Sequence, residues 1–319
     1  MPAYKDKKTG KWYSSFYYAN WKGVREKKMK RGFETKKAAL DWEREFLMQS
    51  SADLDMRFET FTEIYVADLK QRIRENTSLT KDSIICNKIL PFFKDKKMNT
   101  ITAKGVIKWQ NELIAYRDEN GKPYSKTYLK TMHNQLSAIF NHAMRYYDLK
   151  SNPAAKAGHI GEKEAREMDF WTKEEYQKFA YAVMDKPMSF YAFEILYWCG
   201  IRVGELLALT PSDFDFENRL LRINKSYQRI KGRDVITDPK TKKSIRTIKM
   251  PKFLCEEIDE YIKMLYGIKP NDRIFTVTKS FLHTEMKRGS KAAGVKRIKI
   301  HGLRHSHISH LIDLGFSAV

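Results

Sequence analysis

The chain has 319 residues, more than one small core needs, and this length predicts two or three domains. A hydrophobic content of 42% with 13% aromatic residues allows packed cores and excludes a chain that is disordered throughout. Sixty Lys and Arg residues against 39 Asp and Glu leave a formal net charge of +21. A surplus of this size predicts a polyanionic partner, and nucleic acid is the first candidate.

The cysteines and the apolar runs indicate the compartment. Cys86, Cys199 and Cys255 are widely spaced and include no Cys-x-x-Cys pair, which argues against a disulfide framework or a zinc cage. The N-terminus has no apolar run of the kind found in secretory signals, and no uncharged apolar run approaches the ~20 residues of a membrane span. We therefore expect a cytoplasmic protein without a membrane partner.

Residues 1–52 predict a small sheet that rests on one helix. Alternation over residues 11–18 indicates a strand, and a turn at 20–23 and a second strand over 24–33 follow it. A turn at Lys8-Thr9-Gly10 suggests a short earlier strand. Thr35 is placed to cap a helix. That helix carries three apolar residues at helical spacing: Ala39, Trp42 and Phe46.

Six cations lie in or beside the second predicted strand, among aromatic residues: Lys22, Arg25, Lys27, Lys28, Lys30 and Arg31. We expect them to contact DNA, with the sheet entering the major groove. A solvated hairpin face is the alternative interpretation.

Residues 56–152 have a helical period throughout and predict a four-helix domain, with a stop at Pro91 and a cap at Thr102. Ser151-Asn152-Pro153 breaks the last of these helices, because the residue before a proline is pushed out of the α region. The charged stretch 153–168 is typical of a linker.

Residues 169–319 predict a mixed α and β domain that begins at a capping box formed by Thr172 and Glu175. The predicted helices cover residues 173–184, 188–209, 251–265 and 279–293, with a last one from His301. The predicted strands cover residues 219–225, 227–236 and 244–249.

The most informative stretch is Ile195 to Leu209, where Arg202 lies within an apolar run that predicts one continuous helix. Burying an unpaired guanidinium costs several kcal/mol, so a partner is expected. One interpretation is a local ion pair with Glu205, and the other is a guanidinium presented to a phosphate. Gly200 and Gly204 would allow a ligand or another backbone to approach closely.

Two further stretches carry candidate phosphate chemistry. In His301-Gly-Leu-Arg-His305, helical spacing puts His301 and Arg304 on one face, where an imidazole beside a fixed cation suits phosphoryl transfer. The run from Asp238 to Arg246 is a basic turn between predicted strands.

In this order, the Gly-Ile-Arg-Val-Gly-Glu-Leu and His-Gly-Leu-Arg-His boxes resemble those of the tyrosine recombinase (phage integrase) family, and the resemblance covers essentially the whole chain. It implies a multidomain fold. Residues 1–52 would be a small β-sheet plus helix arm-binding module, 56–152 an all-α core-binding domain, 153–168 a linker and 169–319 an α+β catalytic domain.

The resemblance also implies roles for individual residues. Arg202 and Arg304 would hold the non-bridging oxygens of the scissile phosphate, and Glu205 would orient the pocket. Lys240 would protonate the leaving 5′ oxygen, although Lys242 and Lys243 beside it are alternatives for that role or contacts to the DNA backbone. His301 would act as a general acid or base, or as a donor to the phosphate.

The implied reaction is attack by a tyrosine on a phosphodiester, a 3′-phosphotyrosyl intermediate, and resealing by a 5′-hydroxyl, with no metal or other cofactor. The implied partners are duplex DNA at core and arm attachment sites, three further copies in a homotetramer, and accessory DNA-bending or directionality proteins. Tyr266 is the last tyrosine of the 319 residues and precedes His301, so we expect no nucleophilic tyrosine in this chain. We therefore expect the chain as given to bind DNA without cleaving it.

Other functions are compatible with parts of this sequence. A non-catalytic DNA-binding regulator derived from a recombinase and a type IB topoisomerase-like enzyme both remain open, although the arm-like module argues against the topoisomerase. A metal site on the histidines from His301 to His310 lacks the acid of a His-Glu-x-x-His motif. A magnesium nuclease built on Asp213, Asp215 and Glu217 would leave Arg202 without a role, and these acids are in a turn context.

Overall fold

The structure, a computed structural model, describes residues 3–7, 9–19, 25–52, 56–162, 168–239 and 244–317. The chain divides into two compact units, Met1–Ala165 and Arg166–Val319. In the part of the chain that is described, no helix is both long enough and apolar enough to cross a membrane.

The first unit begins with a three-stranded antiparallel sheet in the order β1 (Ala3–Lys5), β2 (Trp12–Ala19), β3 (Arg25–Phe33), followed by α1 (Lys36–Ala52). As predicted, Thr35 caps the helix, because its Oγ1 accepts a hydrogen bond of 3.1 Å from the Ala38 amide. The predicted sheet and helix are confirmed. The predicted turn at 20–23, with Lys22, lies outside the described residues.

The helical part of the first unit follows. Its helices are α2 (Phe58–Lys70), α3 (Glu75–Ile84), α4 (Leu90–Phe93), α5 (Ala103–Ala115), α6 (Lys126–Tyr146) and α7 (Pro153–Ala157). They share one core of fully buried aromatic and aliphatic residues that includes Phe58, Trp109 and Phe140. Thr102 caps α5 as predicted, with its Oγ1 accepting from the Gly105 amide at 3.2 Å.

The predicted helix stop at Pro91 is wrong, since the chain stays helical from α3 through α4. A π-helical turn over Ile85–Ile89 joins the two helices, and the Leu90 amide donates to the Ile85 carbonyl five residues back. This wider turn relieves the clash that a proline ring makes with the carbonyl four residues earlier. Pro91 therefore continues the helix as an early residue of α4.

The stretch predicted as a linker begins with a helical turn that packs into the helical core. Asn152 caps α7 by accepting from the amides of Ala154 at 2.8 Å and Ala155 at 3.0 Å, and Ala154 is fully buried. Helix α7 is therefore packed against the helical core through Ala154 rather than being a free connection.

The second unit combines helices with two small sheets. The helices are α8 (Lys173–Val183), α9 (Pro187–Cys199), α10 (Val203–Leu206), α11 (Lys252–Met264), α12 (Lys279–Ala292) and α13 (Ile300–Asp313). The strands are β4 (Phe214–Asp215), β5 (Leu220–Ile223), β6 (Ser226–Ile230), β7 (Arg233–Thr237) and β8 (Arg246–Lys249). All pairings are antiparallel, in the orders β4-β5-β8 and β6-β7.

The prediction of a single strand over 227–236 is wrong, because the segment folds back as a hairpin. Lys231 and Gly232 both have positive φ, at 48° and 80°, which is the conformation that a tight two-residue hairpin turn requires. The turn brings Ile230 opposite Arg233.

The core of the second unit lies around α8 and α9, with the rings of Tyr176 and Tyr197 stacked at 3.6 Å between centroids. The capping box predicted at the start of α8 is present, since Thr172 and Glu175 each bond the backbone amide of the other. Helix α13 is joined to the start of the unit by Ser306, whose Oγ accepts from the Trp171 amide at 2.8 Å. The core thus fixes α9 and α13, the two helices that lead into the site.

We expect Gly289→Ala to destabilise the protein by about 1–2 kcal/mol, although alanine favours helices more than glycine does. A Cβ at position 289 of α12 would lie 2.4 Å from Val183 Cγ1 and 2.5 Å from Phe179 Cε2, both on the fully buried face of α8. Urea denaturation measures the change. Gly105→Ala is the control, because a Cβ there finds only one atom at 3.7 Å, and equal stability of the two variants would contradict the close packing.

Candidate functional site

The segment around Arg202 is not one continuous helix, which corrects the prediction for 188–209. Helix α9 ends at Cys199, Gly200 adopts the left-handed conformation with φ of 58°, and Arg202 is the extended N-cap residue of the short α10. Glycine takes this conformation without the penalty that a Cβ brings. Arg202 therefore lies at a helix start, and its side chain is 52% exposed.

The two glycines that flank Arg202 allow close approach of protein groups. A Cβ at position 200 would lie 2.4 Å from Cδ2 of the His307 ring. At position 204, a Cβ would lie 2.6 Å from Ser226 Oγ and 3.1 Å from the carbonyl oxygen of Tyr227. The glycines thus let α13 and β6 close directly onto the Arg202 turn.

Glu205 is the centre of the site. The residue is 5% exposed, and its carboxylate accepts hydrogen bonds from Arg202 Nη1 at 2.9 Å and from the Arg202 backbone amide at 3.0 Å. Arg246, the first residue of β8, donates to the same carboxylate from Nη2 at 2.8 Å and from Nη1 at 3.3 Å. The local Arg202–Glu205 ion pair is therefore present, and it coexists with an exposed guanidinium.

The charges around Glu205 lower its pKa. Burial alone would raise the pKa of this carboxyl, but the hydrogen bonds from Arg246 and Arg202 outweigh that effect and hold the pKa below its usual value. Glu205 is therefore ionised at neutral pH, which is the state that can pair with two arginines.

Arg304 comes to the same place from α13. Its Nη1 donates to the carbonyl oxygen of Gly200 at 2.5 Å. Burial lowers the pKa of Arg304, and the positive charges of Arg202 and Arg246 lower it further. Three guanidinium groups against the one carboxylate of Glu205 leave two positive charges in this cluster, which suits the binding of a phosphate.

His301 lies one turn before Arg304 on α13 and also lines a cavity of about 570 Å³ with His283, Arg297 and His305. Burial lowers the pKa of the His301 imidazole, and the nearby His305, Arg304 and Arg202 lower it further. A neutral imidazole is therefore the dominant form at neutral pH, and it can both donate and accept a hydrogen bond.

Lys240, Lys242 and Lys243 lie outside the described residues, in the stretch between β7 and β8. The structure brings Arg202, Arg304, His301 and Glu205 into one electrostatic cluster. Arg246 is a site residue that the sequence does not predict. Its only signal in the sequence is its place at the end of a basic run, where nothing distinguishes it from the neighbouring cations.

Two of the acids named for a magnesium nuclease, Asp213 and Asp215, are engaged in local contacts. Asp213 bonds the Thr210 amide at 2.8 Å and pairs with Lys225, whose Nζ lies 2.6 Å from Oδ1. Asp215 accepts from the backbone and the side chain of Asn218. Among the described residues, no three His, Cys, Asp or Glu side chains are grouped to hold a metal ion.

Comparison with known families gives three matches along the chain. Residues 169–318 match the phage integrase family, 57–114 match the phage integrase N-terminal SAM-like domain, and 2–50 match an arm DNA-binding domain. The ICEBs1 integrase of Bacillus subtilis is 27% identical over 300 residues, which cover 88% of this chain and 80% of the relative. A putative prophage phiRv2 integrase of Mycobacterium tuberculosis is 24% identical over 273 residues, which cover 83% and 70%.

Solved structures show the same fold. The Tn1549 transposon integrase in complex with transposon right end DNA matches with a TM-score of 0.65 and 20% identity, over 82% of this chain and 88% of that one. A lambda integrase dimer bound to a COC' core site matches with a TM-score of 0.60 and 18% identity, over 98% and 87%. The chain belongs to the phage integrase family. It is a site-specific DNA recombinase of the tyrosine type.

We expect Glu205→Gln to lower the free energy of unfolding by about 1–3 kcal/mol at pH 7, because the amide cannot pair with two arginines. The pKa of Glu205 is lowered in the folded state, so its contribution is present above the unfolded pKa and is lost as the pH falls through the folded pKa. In urea titrations at decreasing pH, the wild type and the variant should therefore converge.

The control for this measurement is Asp259→Asn, which removes an exposed helical pair with Lys263 and should change stability by at most about 0.5 kcal/mol. A difference between Glu205→Gln and wild type that stays constant down to acid pH would contradict the proposed charge state of Glu205.

Proposed function

We propose that Arg202 and Arg304 bind the two non-bridging oxygens of one DNA phosphodiester, with His301 beside them. The observation that supports this is the convergence of two guanidinium groups from different elements, α10 and α13, around the buried carboxylate of Glu205. Arg202 keeps an exposed side chain while its backbone is fixed at the helix start. Such preorganised donors stabilise the charge that develops on a pentacoordinate phosphorus.

The reaction that fits this pocket is phosphoryl transfer through a tyrosine. The tyrosine oxygen would attack the phosphorus and the bond to the 5′ oxygen would break, leaving a 3′-phosphotyrosyl link and a 5′-hydroxyl. We propose Lys240 as the donor of the proton to the leaving oxygen, with Lys242 and Lys243 as alternatives. A 5′-hydroxyl of a partner strand would reverse the step, so the bond energy is conserved and no nucleotide is hydrolysed.

His301 would serve this pocket in its neutral form. Because the nearby arginines and burial lower its pKa, the imidazole does not add a fixed charge at neutral pH, but it can bond a phosphate oxygen or move a proton. An anion in the pocket would offset the positive field and raise the pKa of His301. The protonation state of His301 would then depend on whether DNA is bound.

The partner we propose is duplex DNA at core and arm attachment sites of a mobile element or prophage. The net charge of +21 fits such a polyanion. The solved relatives include a lambda integrase tetramer bound to a Holliday junction. In this proposal, four copies of the chain assemble on two such sites in the cytoplasm, together with accessory DNA-bending or directionality proteins. This assembly would integrate and excise the element.

We expect Arg202→Ala to lower the rate of covalent complex formation with a nicked suicide DNA substrate by at least about 100-fold, because a charged donor to the transition state is lost. DNA binding should fall far less, by about tenfold, because a net charge of +21 leaves many other cations that can bind the DNA backbone. The assay uses a form of the protein that carries the nucleophilic tyrosine. Undiminished covalent complex would remove Arg202 from the pocket, and wild-type binding without any cleavage would favour a DNA-binding regulator.

Of the six N-terminal cations predicted to bind DNA, five lie in the described part of the sheet. The side chains of these five point to both faces of the sheet. Lys27 is paired across the strands with Tyr17, and Arg31 with Tyr13. Cross-strand partners point to the same side of a sheet. Arg25 also stacks over Tyr17, at 4.5 Å from the ring centroid, so it shares their face.

Lys28 and Lys30 point to the opposite face, where α1 packs. The Nζ of Lys28 lies 5.2 Å from the ring centroid of Phe46, and that of Lys30 lies 5.4 Å from that of Trp42, both on α1. We therefore propose that the open face, with Arg25, Lys27 and Arg31, enters the DNA groove, and that the two lysines beside α1 contact the flanking backbone at most.

We expect Lys27→Gln with Arg31→Gln to weaken binding to an arm-site duplex about tenfold and to reduce the salt dependence of binding by about two ion equivalents. The matched control is Lys28→Gln with Lys30→Gln, which removes the same charge from the other face and should have a smaller effect. Fluorescence anisotropy at several salt concentrations measures both pairs. Equal losses of affinity would mean that binding depends only on the total charge of the sheet and that the assignment of the two faces is wrong.

A further inference from the structure

We infer that Arg246 is a positioning residue of the phosphate site, which it serves by sharing Glu205 with Arg202. The inference rests on the proposed function of Arg202 as a phosphate ligand. It assigns a role to a residue on β8 that neither the sequence motifs nor the proposed chemistry uses.

The contacts divide the carboxylate evenly between the two arginines. Oε1 accepts from Arg202 Nη1 at 2.9 Å and from Arg246 Nη1 at 3.3 Å. Oε2 accepts from the Arg202 backbone amide at 3.0 Å and from Arg246 Nη2 at 2.8 Å. Arg246 therefore binds the carboxylate through both terminal nitrogens of its guanidinium, whereas Arg202 uses only one side-chain nitrogen.

This division leaves the Arg202 guanidinium available. A guanidinium has five N–H donors. Among the described residues, only Nη1 of the Arg202 side chain donates to a protein group, so its other donors stay available to a phosphate. Without Arg246, the buried carboxylate would be free to bind Arg202 with both oxygens, in the bidentate geometry that arginine and carboxylate prefer. That pairing would neutralise Arg202 and turn its donors away from DNA.

Arg246 itself is poorly placed to bind DNA. Its side chain is 26% exposed against 52% for Arg202, and its Nη1 also donates to the Ser244 carbonyl at 3.2 Å. Its strand position is set by pairing with Ile223 on β5. Arg246 thus acts on the phosphate through Glu205 and Arg202.

The experiment measures how strongly the protein senses the charge of one phosphate. Duplexes carrying the core attachment site of its own element are made with each central phosphate replaced in turn by a neutral methylphosphonate. Affinity for each duplex is measured by fluorescence anisotropy with this chain. At the most sensitive position, the wild type should bind the natural duplex at least about tenfold more tightly than the methylphosphonate duplex. The quotient of these two affinities is the phosphate ratio.

Arg246→Ala should reduce this ratio towards one, as Arg202→Ala does directly. Adding Glu205→Gln to Arg246→Ala should restore at least half of the lost ratio on a logarithmic scale, because the group that captures Arg202 has lost its charge. Arg246→Lys keeps a positive charge but cannot bind the carboxylate in the bidentate geometry, so it should give an intermediate ratio. This variant replaces Arg246→Ala in the test if the alanine variant does not fold.

The matched control is Arg288→Ala. Arg288 also pairs with a buried glutamate, Glu285, which is shared with a second cation, Lys186, so its loss has a similar cost in stability. It should keep the full phosphate ratio. A wild-type ratio in Arg246→Ala, or no recovery in the double variant, overturns the role of Arg246. A wild type that shows no ratio at any position refutes the phosphate site itself.

Discussion

The organisation of the site depends on one buried carboxylate shared by two arginines. Glu205 joins the start of α10 to the start of β8, two elements that are 41 residues apart at this contact. A buried carboxylate without partners would be costly, so both arginines are held where the charge is compensated. The same contact keeps Glu205 ionised, so the cluster holds one negative charge against three positively charged guanidinium groups. The phosphate site we propose follows from that imbalance.

The backbone around this contact explains how Arg202 can be both fixed and exposed. In a continuous helix the residue would be packed within an apolar run, but the left-handed Gly200 ends α9 and starts a new helix at Arg202. The carbonyl of Gly200, released from the helix by this turn, accepts from Arg304 on α13. One glycine therefore orients Arg202 and provides the contact that brings Arg304 beside it.

The N-terminal sheet also places residues of the same charge in different surroundings. Its open face combines exposed tyrosines with cations, while its other face is covered by aromatic residues of α1. Because the two faces alternate along β3, adjacent cations have different surroundings despite their identical charge. A DNA-binding surface in this module is thus defined by the strand register rather than by the number of basic residues.

The sequence alone determined the class of the protein, the order of its sheet, helical and mixed segments, and most helices with strong caps, such as those at Thr35, Thr102 and Thr172. These features depend on local periodicity and capping, which neighbouring residues encode. Only the tertiary structure decided that Pro91 continues a helix, that Gly200 breaks one, and that Arg246 joins Arg202 and Glu205. Each of these depends on contacts or backbone geometry between segments, and a one-dimensional pattern does not record which distant groups share a buried charge.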